Sequence, residues 1–358
     1  MSSYTPTSRG YAWAKQVDYL TPKAPAAAAY KQLILTDQNF LDQEAATQND
    51  EDWSHGVNSA TDEWLESHGA RVQHTMPGFI QQFGELFYLN MGQYSVAAHS
   101  GGTLSKDHKF KPTDPNVTRQ DPAVSYLEKA GAGWKVMSES MVGDGFTLKG
   151  DAMQVLTADF GLVGSGKIDF ASAATWFPTA TPTVARRTGL HKLFNSQVAL
   201  VCTDGGGAAA YGCRYRSFEI SYKKTLLDAA GYQPGCARFL SSGDPTSGAI
   251  RSSHEFDKQT LDFTFVVDMA AGSPEAVSVQ QQKPTEIVLT ATGGIIEDTI
   301  PYTMVVTIPI ATYTAAKPTV ADGIMRMTIS GKGLFDFTTG EMFDIALTDN
   351  IATYANAF

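Results

Sequence analysis

Between Gly69 and Gly92 the apolar residues change their period. Ala70, Val72, His74 and Met76 alternate with Arg71, Gln73 and Thr75, which predicts a half-buried strand. Phe79, Ile80, Phe83, Leu86, Phe87 and Met91 then recur at three- and four-residue spacing, so they share one helix face. Pro77 suits the first helical turn, where its missing N–H is not needed, and Gly92 suits the stop. The stretch reads as a strand running straight into an apolar-faced helix.

Elsewhere the dominant period is two. Short strands are predicted at Lys31–Thr36, Tyr94–Ala98, Val124–Glu128, Gly133–Met141, Phe146–Lys149 and Asp151–Leu162. Glycine-containing turns separate the last four, at Gly131, at Gly143–Gly145 and at Lys149–Asp151. Further strands are predicted at Val198–Thr203, Cys213–Tyr222, Arg251–Phe256, Thr285–Thr292, Tyr302–Thr312, Gly323–Gly331 and Glu341–Asp349, with hairpin turns at Gly331–Gly333 and Thr338–Gly340. The intervening segments lack periodicity. Residues 1–30 are rich in Ser, Thr, Pro and Ala and read as an extended arm. The span from Gln32 to Ala70 holds no Lys or Arg but nine acids, and its Asp37–Glu66 part reads as a solvated acidic loop anchored by Trp53 and Trp64. Gly101–Pro122 reads as a polar loop, and Gly164–Gly189 as a connection at a domain boundary.

The opening stretch has an echo half a chain later. Arg71 and Arg251, His74 and His254, and Phe83 and Phe263 are each 180 positions apart. V-G-D-G-F at Val142–Phe146 and V-A-D-G-I at Val320–Ile324 are 178 apart. Two matches near half of 358 residues suggest a duplicated domain. The expected layout is an arm over 1–30 and two β domains over 31–190 and 191–358. The repeat also makes Asp257–Met269, which alternates like a strand, a candidate second helix capped by Asp257.

Net charge is −10, which argues against a nucleic-acid-gripping surface. Cys202, Cys213 and Cys236 are odd in number and widely spaced, so neither a disulfide framework nor a zinc site is indicated. The N-terminus lacks a basic start followed by an apolar run, and no segment approaches 18 uninterrupted apolar residues. The expectation is a protein made in a reducing cytoplasm, with no membrane span. His99, Asp107 and His108 are the nearest approach to a metal set, but two adjacent residues in a Lys-flanked loop make a poor one. The glycine run at Asp204–Ala210 lacks the Lys-Ser/Thr of a phosphate loop. No nucleophile motif, metal motif or dinucleotide fingerprint is present, so no catalytic residue, cofactor or metal is assigned and no enzymatic activity is expected.

Four phrases in this order carry a resemblance: T-M-P-G-F-I-Q-Q-F-G-E-L-F-Y-L-N-M-G at Thr75–Gly92, F-K-P-T-D-P at Phe110–Pro115, V-G-D-G-F-T-L at Val142–Leu148 and R-S-F-E-I-S-Y at Arg216–Tyr222. With the arm and the terminal hairpin, this layout resembles the major tail tube proteins of long-tailed, non-contractile bacteriophages. The resemblance implies a mainly β fold of tandem sandwich or barrel domains, each with a packed α-helix. It implies a virion protein whose copies join strands into a continuous inner barrel, stack as rings and conduct phage DNA to the host. The partners implied are the chain itself, other tail proteins (tape measure, tail terminator, distal tail) and DNA as passing cargo.

A duplicated chain would close a ring of three copies with pseudo-sixfold symmetry; without duplication six copies is the default. Glu139, Asp144, Asp151 and Asp322 are the lumen-lining candidates, on the premise that an acidic wall gives DNA low-friction passage. The loops at Asp37–Glu66 and Gly101–Pro122 are candidates for ring-to-ring contacts. Two other readings fit the composition: an inner tube of a contractile injection system, and a soluble carbohydrate-binding or adhesin-like β module.

Overall fold

Alternation of more and less buried positions along most strands organises the chain into long antiparallel ladders. A computed structural model describes residues 9–16, 30–37, 39–49, 63–112, 122–130, 134–164, 168–169, 189–204, 207–210, 214–226, 240–241, 256–269, 274–281 and 283–355. The first half contributes β1 (Arg9–Lys15), β2 (Lys31–Leu33), β3 (Asp42–Asn49), β4 (Glu63–Pro77), α1 (Ile80–Met91), β5 (Gln93–Ala98), β6 (Lys106–Lys111), β7 (Val124–Ala130), β8 (Trp134–Gly150), β9 (Thr157–Gly164) and β10 (Ile168–Asp169). The second half contributes β11 (Val198–Asp204), β12 (Gly207–Ala210), β13 (Tyr215–Leu226), β14 (Leu240–Ser241), β15 (Phe256–Asp268), α2 (Pro274–Gln281), β16 (Thr285–Glu297), β17 (Ile300–Ala321), β18 (Ile324–Gly333) and β19 (Asp344–Asp349).

Three antiparallel sheets result. The largest has eight main strands in the order β3–β4–β9–β8–β13–β15–β18–β17, using β8 from Val142 on and β17 from Ala311 on, and the two-residue β14 adds to β4 at Ser67 and His68. A second runs β12–β11–β16–β17–β19–β6–β5, using the first half of β17. A third runs β2–β1–β7–β8–β10, using the first half of β8. β8 and β17 are therefore the two strands that pass from one sheet into another.

Helix α1 lies where the three sheets meet. Phe87 packs at 5.2 Å, tilted, on Phe146 of β8 and at 5.9 Å, edge to face, on Phe110 of β6, bridging the first two sheets. Glu85 accepts a 3.0 Å hydrogen bond from the indole of Trp13 in β1, which ties in the third. Eleven of its twelve positions are buried, Tyr88 being the exception. Its polar side chains consequently act as fasteners, since each buried polar atom needs a partner. Gln82 bonds both ways with the Ile34 backbone, Gln81 accepts from His191 N–H, and Asn90 accepts from Gly145 N–H. Gly84 is required because a Cβ there would strike the ring of Tyr354. That tyrosine donates to Asp349, which meets His108 at 3.1 Å; His108 in turn meets the Tyr94 hydroxyl at 2.8 Å.

The mainly β class with a packed helix is as expected; the details differ. Pairings and packing cross the proposed boundary near residue 190. β8 pairs with β13, β6 pairs with β19, and one apolar cluster runs from Tyr11 to Tyr354. Within the 1–30 arm, residues 9–15 form β1, whose Ala12, Trp13 and Ala14 are buried; the remaining arm residues other than Gln16 and Tyr30 lie outside the described residues. The acidic loop folds back as the β3–β4 hairpin, with residues 50–62, and so Trp53, outside the described residues. The polar loop after Gly101 contains β6, whose Phe110 is core. Asp257–Met269 is strand β15, and the helix follows it as α2; alternation and β-branched residues outweighed the echo. Gly143–Gly145 forms a bulge inside β8 rather than a turn, and Gly331–Gly333 belongs to β18. Pro77 ends β4 instead of starting α1, while Gly92 does stop the helix, at φ 71°. Arg251 and His254 lie outside the described residues.

Candidate assembly surface: the polar face and open edges of the eight-stranded sheet

The core-facing residues of the eight-stranded sheet include Val72, His74, Met76, Phe160, Leu162, Phe146, Leu148, Phe218, Ile220, Phe263, Phe265, Met327 and Ile329, all buried. Period-two geometry then forces their sequence neighbours onto the opposite face. That face is built from Arg71, Gln73, Thr75, Asp159, Thr147, Lys149, Glu219, Ser221, Lys223, Asp262, Thr264, Thr328, Ser330 and Lys332. It is a hydroxyl and mixed-charge surface. Thr147 meets Ser221 at 2.9 Å, and Thr264 meets Ser330 at 3.2 Å, each across a strand boundary.

Several charges on this face are paired across strands. Lys149 stands opposite Glu219 in the ladder and binds Asp159 at 2.7 Å, and the hydrogen bond to that carboxylate raises its pKa. Asp262 stands opposite Lys332. At one end of the sheet Asp268 is clamped between Arg216 and Arg326, and the Arg216 hydrogen bonds hold its carboxyl below the usual range. The face carries both signs, with opposite charges placed across strands as stable ladders require.

The four acidic candidates fall in three kinds of place. Asp144 is the extra residue of the β8 bulge and sits over Gly161, whose missing Cβ makes room for it. It lines a cleft of about 670 Å³ together with Arg71, Gln73, Asp159, Lys223 and Lys224. Burial raises its pKa, against the pull of Arg71 and Lys224. Asp151 is in the exposed turn after β8, and Asp322 is at the tip of the β17–β18 hairpin, bonded to Arg326 at 3.2 Å. Asp322 thus corresponds in position to Asp151, not to Asp144: the bulge and the hairpin tip are at opposite ends of the sheet. Glu139 lies on the half of β8 that belongs to the third sheet, and its side chain is outside the described residues.

The two halves of the sheet have the same plan. Reading across, β3–β4–β9–β8 and β13–β15–β18–β17 have the same chain order and the same alternating polarity. In each, the second strand leads into a helix and then a hairpin: β4 into α1 and β5–β6, β15 into α2 and β16–β17. The halves join because β13 pairs with β8. Among the described residues, β3 pairs only with β4, and β17 beyond Tyr313 pairs only with β18. The paired β13–β8 junction could be foreseen only from the alternation of R-S-F-E-I-S-Y and F-T-L-K; the open edges had no sequence signal.

His99 meets Asp107 at 2.7 Å, but His108 turns into the core toward Asp349, so that trio cannot share an ion. Among the described residues no group of three or more His, Cys, Asp or Glu is placed to hold a metal. No helix among the described residues is long and apolar enough to cross a membrane. Sequence reasoning missed a buried relay in which His74 bonds Asp37 at 3.1 Å and the Tyr126 hydroxyl at 2.7 Å, while Glu128 accepts from Tyr126 and Leu41 N–H. Burial lowers the His74 pKa against the pull of Asp37.

No protein-family model matches the sequence, and no curated protein matches it. Among solved structures, the chain is similar to the SPP1 tail tube, at 11% identity and a TM-score of 0.25 over 46% of this chain and 82% of the other. It is also similar to a mutant of the Hcp1 protein from E. coli EAEC 042, at 14% identity and a TM-score of 0.21 over 43% of this chain and 97% of the other.

Proposed function

We propose that the chain is a structural, tube-forming protein of the phage tail type, whose copies join through the open edges of the eight-stranded sheet and stack as rings around a DNA-conducting lumen. The observation that carries this reading is the pair of open edges. An unpaired strand edge is a liability that proteins cover, charge or close. Among the described residues β3 and β17 are open at opposite sides of one sheet, while their counterparts by position, β13 and β8, pair antiparallel within the chain. Joining β17 of one copy to β3 of the next repeats the internal junction with the same polarity.

On this reading the chain is a duplication whose halves share a sheet, and three copies close the ring with pseudo-sixfold symmetry. About 24 strands at about 4.8 Å spacing give a barrel of roughly 37 Å backbone diameter before tilt. The polar face lines the lumen, with Asp144 and the paired charges on it. A surface that mixes both charge signs with hydroxyls offers phosphate no continuous cationic track, so DNA passes without being held. The reading places the protein in the virion tail, with other tail proteins at the tube ends and no enzymatic role.

Hydrogen exchange on assembled and unassembled protein tests it. Assembly should slow exchange in both 42–49 and 314–321. Assembled particles with those segments unchanged would contradict edge-to-edge joining.

A further inference from the structure

The β17–β18 hairpin carries apolar side chains past both ends of the core. Met327 and Ile329 of β18 are buried, and the same parity continues to Met325, which is half in solvent. Opposite Met325 in the ladder stands Val320, 70% exposed, and Ile324 beside the turn is also exposed. This is the tip. At the other end the chain leaves β18 at Gly333 into Leu334, Phe335 and Phe337, and Phe337 is 92% exposed. This is the heel. The two are about 30 Å apart, the length of a strand of this size.

The heel is held in shape by its own hydrogen bonds. Asp336 N–H donates to Glu341 O at 2.9 Å, and Gly340 N–H donates to Asp336 O at 2.8 Å. The Asp336 carboxylate accepts from Thr338 N–H at 2.8 Å and from the Thr339 hydroxyl at 2.9 Å. Phe335 and Phe337 pack edge to face at 5.3 Å. A rigid loop that presents an aromatic ring to solvent is a preformed anchor of the kind that dominates interface energies.

Building on the tube reading, we propose that tip and heel are the two sides of one stacking contact: Leu334, Phe335 and Phe337 of one copy seat against Val320 and Met325 of a second copy displaced along the strand axis. Both surfaces belong to opposite ends of the same hairpin, so translation along the strands brings a heel onto a tip. The contact is heterologous and does not close on itself, which makes it a propagating one. Methionine and aliphatic side chains around a phenylalanine ring are chemically matched.

The test compares wild type with Phe337→Ser and Met325→Ser at equal concentration, by electron microscopy and sedimentation. Each variant should keep the wild-type melting curve and still form rings, with mean tube length at least tenfold shorter; the double variant should be no worse than either single one. Tubes of wild-type length from both variants would overturn the stacking assignment and leave the tube reading standing. Loss of rings as well, with an unchanged melting curve, would also overturn it, because the residues would then act laterally. Wild-type protein that yields neither rings nor tubes would overturn both.

Discussion

The strand quartets β3–β4–β9–β8 and β13–β15–β18–β17 share order and polarity, yet their surroundings differ sharply. In the first quartet the last strand, β8, is paired on both sides, and its helix α1 is enclosed by three sheets. In the second, the last strand, β17, has one open side, and its helix α2 packs on β17 with Val277, Gln280 and Gln281 left in solvent. The same local plan therefore has a structural role in one half and leaves an unfilled surface in the other. Burial here is set by which sheets converge, not by the plan itself.

The strongest way to sharpen this contrast is to truncate matched helix residues. Phe87→Ala should cost about 3–5 kcal/mol, because it removes a ring packed between two sheets. Val279→Ala, in the half-exposed α2, should cost less than about 1 kcal/mol. Urea unfolding midpoints of the two variants check the difference, and equal losses would show that α2 is as deeply fixed as α1. Next comes the C-terminal latch over Gly84. Tyr354→Phe deprives the buried Asp349 carboxylate of a donor and should cost about 1–3 kcal/mol by the same measurement.

Much of this architecture was legible in the sequence, and the failures have physical reasons. Period-two runs located most strands because one face of each is apolar, and the F-I-Q-Q-F-G-E-L-F pattern located α1. The pattern did not reveal that Gln81, Gln82, Glu85 and Asn90 would be buried too, because that depends on the backbone groups of distant segments that they bind. The V-G-D-G-F and V-A-D-G-I echo misled for a related reason: Gly-Asp-Gly suits a bulge in β8, and Ala-Asp-Gly suits a hairpin tip, where Asp322 and Gly323 both take positive φ. Equivalent composition marked two different backbone devices. The relay around His74 left no local trace, since its members span Asp37 to Glu128.

That relay predicts a smaller, pH-dependent effect confined to the first half. With its folded pKa lowered by burial, His74 is protonated more readily in the unfolded chain. The contribution is therefore fully present above the unfolded pKa of about 6.5 and is lost as pH falls below it. Unfolding midpoints should drop between pH 7.5 and 5.5 in wild type, and His74→Gln should reduce that drop. An unchanged slope would mean that other groups carry it.

The smallest expected effect is at a clasp joining the halves. The Glu297 carboxylate accepts hydrogen bonds from Thr103, Leu104 and Ser105, which hold its pKa down to about 2. Its contribution is present above the ordinary carboxylate pKa and is lost as pH falls toward 2. Glu297→Gln should speed amide exchange at Thr103–Ser105 with little change in global stability; unchanged exchange there would show that the hairpin is held by other contacts.

The central claim is that two open edges of one sheet close on each other between copies. Electron microscopy of concentrated protein, combined with particle mass, tests it most directly. Hollow rings or tubes with six lobes and three chains per ring are expected. Six chains per ring would keep the tube and discard the pairing of halves within one chain. Compact monomers at every concentration, including in the presence of virion or lysate material, would contradict the account.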